Sequence, residues 1–226
     1  MAKIKFGALM TDARGKLGGH VFSKNRGGAY LRTKVTPSNP QTEDQQANRS
    51  LLGYLAQQWS ILTEAQRATW NGAVGDWKST NIFGDSVNPS GKSLFTSLNK
   101  NLLNVGGALM NDAPAKVQMA IVGLTGVTVD ISLTTITPTI NAVGADYEVI
   151  VSATPSLSQG TTFVKNRLRS IYKANGASIV AADIYTAYVA KYGAPVAGQN
   201  IHFEVKIVAL NGQMSVPENT KAIVQA

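Results

Sequence analysis

The sequence predicts an α+β protein: an extended N-terminal arm, a small helical hairpin module, and a C-terminal half of antiparallel strands with one inserted helix. Three observations predict it. The first 41 residues combine six glycines with a net charge of +7. The next stretch carries two threonine caps, each ahead of apolar residues at helical spacing. Beyond residue 118 the apolar spacing changes to alternation, and an Asn-Gly pair follows near the end. The divisions are 1–41 for the arm, 42–107 for the helical module, 108–118 for a linker and 119–226 for the strand-rich domain.

Composition sets the frame. A chain of 226 residues forms one large or two small domains. With 44% hydrophobic and 15% charged residues it has the make-up of a folded chain, not a disordered one. The absence of cysteine excludes disulfides, iron–sulfur clusters, Cys-ligated zinc and thiol nucleophiles. His20 and His202 make no metal-ligand spacing. No apolar run approaches the ~18 residues of a membrane span, and Met1-Ala2-Lys3-Ile4-Lys5 lacks the apolar core of a secretory signal. The expectation is a soluble protein made and kept in a cytoplasm, with no membrane partner, cofactor or metal.

Within residues 1–41, eight basic side chains stand against Asp12 alone. Residues 42–118 balance at zero and 119–226 carry +1. Glycine at this density makes a helix costly, because each ordered glycine loses more backbone entropy than alanine. Few apolar residues remain to bury. The segment is therefore read as an arm that binds a partner through Arg14, Lys16, Phe22, Lys24, Arg26, Tyr30, Arg32 and Lys34. Residues 28–35 alternate well enough to add a strand to another surface. Such an arm docks on an acidic or grooved protein surface, gaining order on assembly, or it contacts nucleic acid phosphates. Thr36-Pro37-Ser38-Asn39-Pro40 follows as a stiff connector.

Thr42-Glu43-Asp44-Gln45 and Thr63-Glu64-Ala65-Gln66 both fit the capping box. The first opens a helix over roughly 43–60, with Leu51, Leu55 and Trp59 on its apolar face. The second opens a helix carrying Trp70 and Trp77. These five residues form the expected core of a helical hairpin. DNA reading by the pair is disfavoured, because the second helix offers only Arg67 and Lys78 as basic residues. Ser90 caps a third helix through Leu94, Phe95, Leu98, Leu102 and Val105, stopped by Gly106-Gly107. Gly91-Lys92-Ser93 resembles the end of a phosphate-binding loop, but Ser86 stands where that motif requires glycine.

After the linker, strands are expected at 127–133, 147–153, 162–172, 201–209 and 214–224, with Asn211-Gly212 as a hairpin turn. Several strands separated by turn signals point to an antiparallel β-sandwich of immunoglobulin or fibronectin type III kind. A helix from Ala181 to Tyr192 interrupts them. Its Tyr185, Tyr188 and Tyr192 either fill an edge of the sandwich or form a partner-facing patch. His202 reads as a strand-face residue. No Gly-x-Ser-x-Gly elbow, His-Glu-x-x-His or other catalytic constellation occurs, so no enzyme is expected.

The stretches Gly15-Lys16-Leu17-Gly18-Gly19, Val21 to Arg32 and Pro37-Ser38-Asn39-Pro40-Gln41-Thr42, with the tryptophan-flanked Leu62 to Arg67, carry a resemblance. This layout resembles that of uncharacterised structural proteins of tailed bacteriophages, including crAss-like phages of Bacteroidetes. Members share the glycine-rich start, the NPxT connector and the helix pair, and several continue into an immunoglobulin- or fibronectin-like tail. The resemblance covers about residues 1–107, and the tail by architecture only. It implies a virion component: a capsid-associated auxiliary or decoration protein, or a head–tail connector or tail component. The implied partners are capsid, portal or tail subunits and further copies of the chain. Nucleic acid binding by the basic arm is the alternative. Carbohydrate binding by the sandwich has only fold analogy behind it.

Overall fold

The structure, a computed structural model, describes residues 2–120, 123–141, 143–177 and 182–225. They divide into two compact units, Met1–Leu94 and Phe95–Ala226.

The first unit opens with strands β1 (Ala2–Ile4), β2 (Gly15–Leu17), β3 (His20–Asn25) and β4 (Gly28–Thr33). They form one antiparallel sheet in the order β1-β4-β3-β2. The expected extended arm is thus corrected over these four strands, while residues 5–14 and 34–42 form no strand or helix. The cause lies in the glycines, which act as turn residues. Gly18-Gly19 joins β2 to β3 in a two-residue loop, with Gly18 at φ +57° where a type II′ turn places glycine. Arg26-Gly27 joins β3 to β4; Asn25 Oδ1 accepts from the Gly27 amide at 2.9 Å, and Gly28 sits at φ +101°.

Helices α1 (Glu43–Ile61) and α2 (Glu64–Ala73) follow. Thr63 makes the complete capping box with Gln66. Thr42 makes half of one: its Oγ1 accepts from the Gln45 amide at 3.4 Å, but Gln45 Oε1 is enclosed without a partner. A short hairpin of β5 (Ser79–Thr80) and β6 (Ser86–Val87) leads to α3 (Gly91–Asn104). Ser90 Oγ accepts from the Ser93 amide at 3.2 Å, so Gly91-Lys92-Ser93 is a helical first turn. At the other end Gly106 takes φ +85°; its amide bonds Leu103 O and that of Gly107 bonds Leu102 O, a Schellman stop.

The second unit holds most of α3 and strands β7 (Leu124–Asp130), β8 (Thr135–Ile140), β9 (Tyr147–Ala153), β10 (Arg169–Asn175), β11 (Asn200–Ala209) and β12 (Glu218–Ile223). Helix α4 (Tyr185–Tyr192) lies between β10 and β11 in sequence and ends at Gly193, φ +82°. Ala181, the expected start of this helix, lies outside the described residues. One antiparallel sheet has the order β10-β9-β11-β12, and β7 pairs with β8 in a separate hairpin. Gln225, just past β12, makes a parallel bridge to Asp130 of β7. The apolar side of β9 and β11 (Val149, Val151, Phe203, Val205, Ile207) packs in one core with Val129, Ile136 and Ile140 of the hairpin and with Ile184 and Tyr188. The coarse α+β class with antiparallel sheets is what the chain adopts.

Two differences from expectation have local causes. Residues 162–168 are loop, and β10 begins only at Arg169; Leu168 and Ile171 differ by three, which breaks a period of two. Strand β8, not expected, contains Pro138, the residue that usually argues against a strand.

The Asn211-Gly212 turn is seated on α3. Asn101 Nδ2 donates to Gly212 O at 2.9 Å, and a Cβ on Gly212 would collide with the backbone of Leu98. Gly198 has the same φ of +76° but open space around it. Gly198→Ala should therefore cost about 1 kcal/mol of left-handed strain. Gly212→Ala should cost ~3 kcal/mol or more, because backbone must also move. Urea unfolding of the two variants measures the difference.

Candidate functional site

The N-terminal sheet sorts its side chains by the register of its strands. Residues directly opposite each other share a face. The rows Leu17–His20–Thr33, Gly15–Phe22–Leu31–Ala2 and Lys24–Ala29–Ile4 fall on one side. The rows Lys16–Val21–Arg32 and Ser23–Tyr30–Lys3 fall on the other. One face is therefore apolar at its centre, built from Ile4, Phe22, Leu31 and Leu17. The opposite face carries Lys3, Lys16 and Arg32 around Tyr30, with no acid among them.

A sheet of this size ordinarily gains its stability by covering the apolar face. Here none of residues 2–41 is buried. Leu17 is 70% exposed, and the neighbouring Leu9, Met10 and Val35 are 104%, 53% and 66% exposed. Polar ties hold the edges. Lys3 Nζ donates to Gly27 O at 2.6 Å, and the Lys34 amide donates to Gly19 O at 2.8 Å. Lys5 pairs with Asp85 at 3.2 Å and lies over the Phe83 ring. Asn81 first, then Lys5, holds the Asp85 carboxyl below the usual carboxylate range. Both partners are well exposed, so this pair adds little stability. Arg49 reaches back to Asn39 Oδ1 at 2.7 Å and fixes the connector to α1.

The eight residues expected on the arm are distributed unevenly. Lys16, Tyr30 and Arg32 meet on the basic face, while Phe22 and Lys24 lie on the apolar one. Arg26 occupies the β3–β4 turn, and Lys34 follows β4. Arg14 precedes β2 and pairs with Asp12 at 3.2 Å. Ile4, Leu17, Leu31 and Lys3 were missed. The signal that would have found them is the Gly-Gly pair between two short alternating runs, a hairpin mark.

The other candidates are placed by burial. Leu55 and Trp70 are wholly buried. Leu51, Trp59 and Trp77 are only half-buried, and Trp77 lies in the turn after α2 rather than on it. The tyrosine stripe faces inward, the first of its two readings, and Tyr185 and Tyr192 are half-buried. Tyr188 is 1% exposed, its ring centroid 5.3 Å from that of Tyr192. Tyr192 Oη donates to Ala153 O at 2.8 Å, and Tyr185 packs against the same core. Burial pushes the Tyr188 hydroxyl pKa up. Among the described residues, no group of three or more His, Asp or Glu side chains could hold a metal, and no helix is long and apolar enough to cross a membrane.

The chain matches no protein-family model, no curated protein and no solved structure.

A hydrogen-bonded ladder whose apolar face is only half-buried opens readily. Amides of β3 and β4 should exchange more slowly than those of residues 34–40, yet at least ~100-fold faster than those of β9 and β11. Hydrogen exchange read by mass spectrometry on the isolated chain makes this comparison.

Proposed function

We propose that the chain is a structural component of a tailed-bacteriophage particle, made in the bacterial cytoplasm and resident in the virion. In this reading it is a capsid-associated auxiliary or decoration protein. Its N-terminal sheet docks on other virion subunits or on further copies of itself, and its C-terminal unit is the displayed or space-filling domain. A head–tail connector or tail component would use the same docking surface. No catalytic role or cofactor is part of the proposal.

One observation carries it. Strands β1 to β4 form a paired sheet whose apolar face is only partly covered, with Ile4, Phe22 and Leu31 half-buried and Leu17 exposed, and a second protein surface would complete the layer. Covering such a face removes apolar area from water at roughly 25 cal/mol per Å². The ladder is already formed, so less backbone ordering opposes docking than for a free arm. The basic face opposite steers the sheet toward acidic partners.

The finer reading of the second unit as an immunoglobulin- or fibronectin-like sandwich has topological support. The sheet order β10-β9-β11-β12 corresponds to a C′-C-F-G arrangement, and the β7–β8 hairpin to strands A and B. Helix α4 takes the place of the strand that would next join that hairpin. Its entry is held as a strand would be: the Ile184 amide donates to Ile136 O at 2.9 Å, and Asp183 Oδ1 accepts from the Ile136 amide at 2.8 Å.

Nucleic acid binding is the second reading, favoured by Lys3, Lys16 and Arg32 sharing one face. The two readings use opposite sides of the sheet, which separates them. Ile4→Ser, Phe22→Ser and Leu31→Ser together should leave the thermal unfolding of the remainder unchanged and lower incorporation into particles by at least ~10-fold, about 1.4 kcal/mol of docking energy. Normal incorporation of this variant refutes the docking reading. Lys3→Gln, Lys16→Gln and Arg32→Gln should instead flatten the salt dependence of DNA retention if phosphates are the target.

A further inference from the structure

The second unit contains a feature that the docking reading does not use. Between β9 and β10 the chain makes a long loop whose base is fixed to the start of β11. Leu157 bridges Asn200, and Gln159 Nε2 donates to Gly198 O at 2.9 Å. The loop tip stands over the polar side of β11 and β12. Between them lies an open cavity of about 710 Å³, within the size range of small-molecule sites.

The strand pairing sets the chemistry of its floor. His202 lies opposite Lys221, and Glu204 opposite Asn219, so these four side chains share the face turned away from the core. Glu204 is held by Lys206 at 2.5 Å and adds no unbalanced negative charge. Burial, then Lys221, lowers the His202 pKa. Its Nε2 is enclosed without a hydrogen-bond partner. Lys221 and, from the loop, Lys165 also line the cavity, and neither has an acidic partner among the described residues. Phe163 stands at the rim, 71% exposed.

We infer that this cavity is a binding site for an acidic saccharide, a uronic-acid unit of a glycan. Each class of lining group meets one part of that ligand. The exposed Phe163 ring offers an apolar platform for the C–H face of a pyranose. Asn219 and Glu204 supply a donor and acceptors for ring hydroxyls. Lys165 and Lys221 supply the positive charge that a carboxylate needs. A phosphate ligand fits less well: no arginine lines the cavity, and no helix N-terminus contributes there. A neutral sugar would leave both lysines without a counter-charge. The inference rests on the second unit alone and is independent of docking by residues 2–33.

The test is an NMR titration of the full-length ¹⁵N-labelled chain with tetragalacturonate, beside maltotetraose and inorganic phosphate. Tetragalacturonate should give saturable shifts at the amides of Phe163, His202, Asn219 and Lys221. Maltotetraose should bind at least ~10-fold more weakly, about 1.4 kcal/mol. Phe163→Ala and Lys221→Gln, both at exposed positions, should each weaken tetragalacturonate by a similar factor while the remaining spectrum is preserved. Absence of saturable shifts overturns the inference. So does binding indifferent to both substitutions, or an equal response to phosphate alone.

Discussion

An antiparallel sheet with one apolar face requires a second layer, because an uncovered row of valine, isoleucine and phenylalanine loses the burial that offsets the ordering of its backbone. In the second unit that requirement is met within the chain. Strand β11 pairs on both sides and sends Ile201, Phe203, Val205 and Ile207 into the core, each no more than 1% exposed. The β7–β8 hairpin and α4 cover them. The same alternation sends His202, Glu204 and Lys206 to the opposite face. The core and the cavity floor are two consequences of one strand's period of two. A one-residue slip of β11 would exchange them, bringing a charged pair into the core.

The N-terminal sheet meets half of the requirement. Its strands are paired, its turns have glycine where φ is positive, and its register segregates apolar from basic side chains. What it lacks is a complete covering layer, since Ile4, Phe22 and Leu31 are only half-buried and Leu17 is exposed. A surface organised in this way differs from a free arm in the cost of binding. A disordered arm must order backbone and side chains together when it docks. A pre-paired ladder has already ordered its backbone, so more of the burial free energy remains for affinity.

The legible parts of the fold were those specified locally. Thr63 and Gln66 sit three apart and satisfy each other within one turn. The boundaries of β9 follow from a run of residues with β-propensity, and Asn211-Gly212 marks its own turn. The misread parts depended on distant partners or on the ambiguity of glycine. Six glycines in 41 residues look like flexibility until Gly18 and Gly28 are seen at hairpin ends, where flexibility at one φ permits rigidity across the ladder. Pro138 in β8 is tolerated because β8 has β7 as its one strand partner among the described residues, and Pro138, two residues from Ile136, has its missing N–H on the outer edge, where Ile136 bonds Asp183 and Ile184 rather than a strand. The Tyr185–Tyr188–Tyr192 stripe showed a common helix face in sequence, but not whether core or solvent lay beyond it. Nothing local pointed to the cavity, which exists only because a loop before β10 closes over residues some forty positions later.

Gly212 shows how a local signal acquires a tertiary role. Asn-Gly by itself calls only for a tight turn. In this chain the glycine also lies against the backbone of Leu98 on α3, and Asn101 donates to its carbonyl. Asn211 and Gln213, on either side, bond Ala115 O and the Val117 amide of the segment that follows α3. The turn thus anchors both the helix and the connection leaving it. Buried Asn99 holds the same connection from the helix side, exchanging hydrogen bonds with both backbone groups of Met110. Residues 108–118 contain Pro114 and neither the helical spacing nor the alternation of the elements on either side. Their order comes from amide side chains at both ends rather than from a regular element, which is why composition alone could not reveal it.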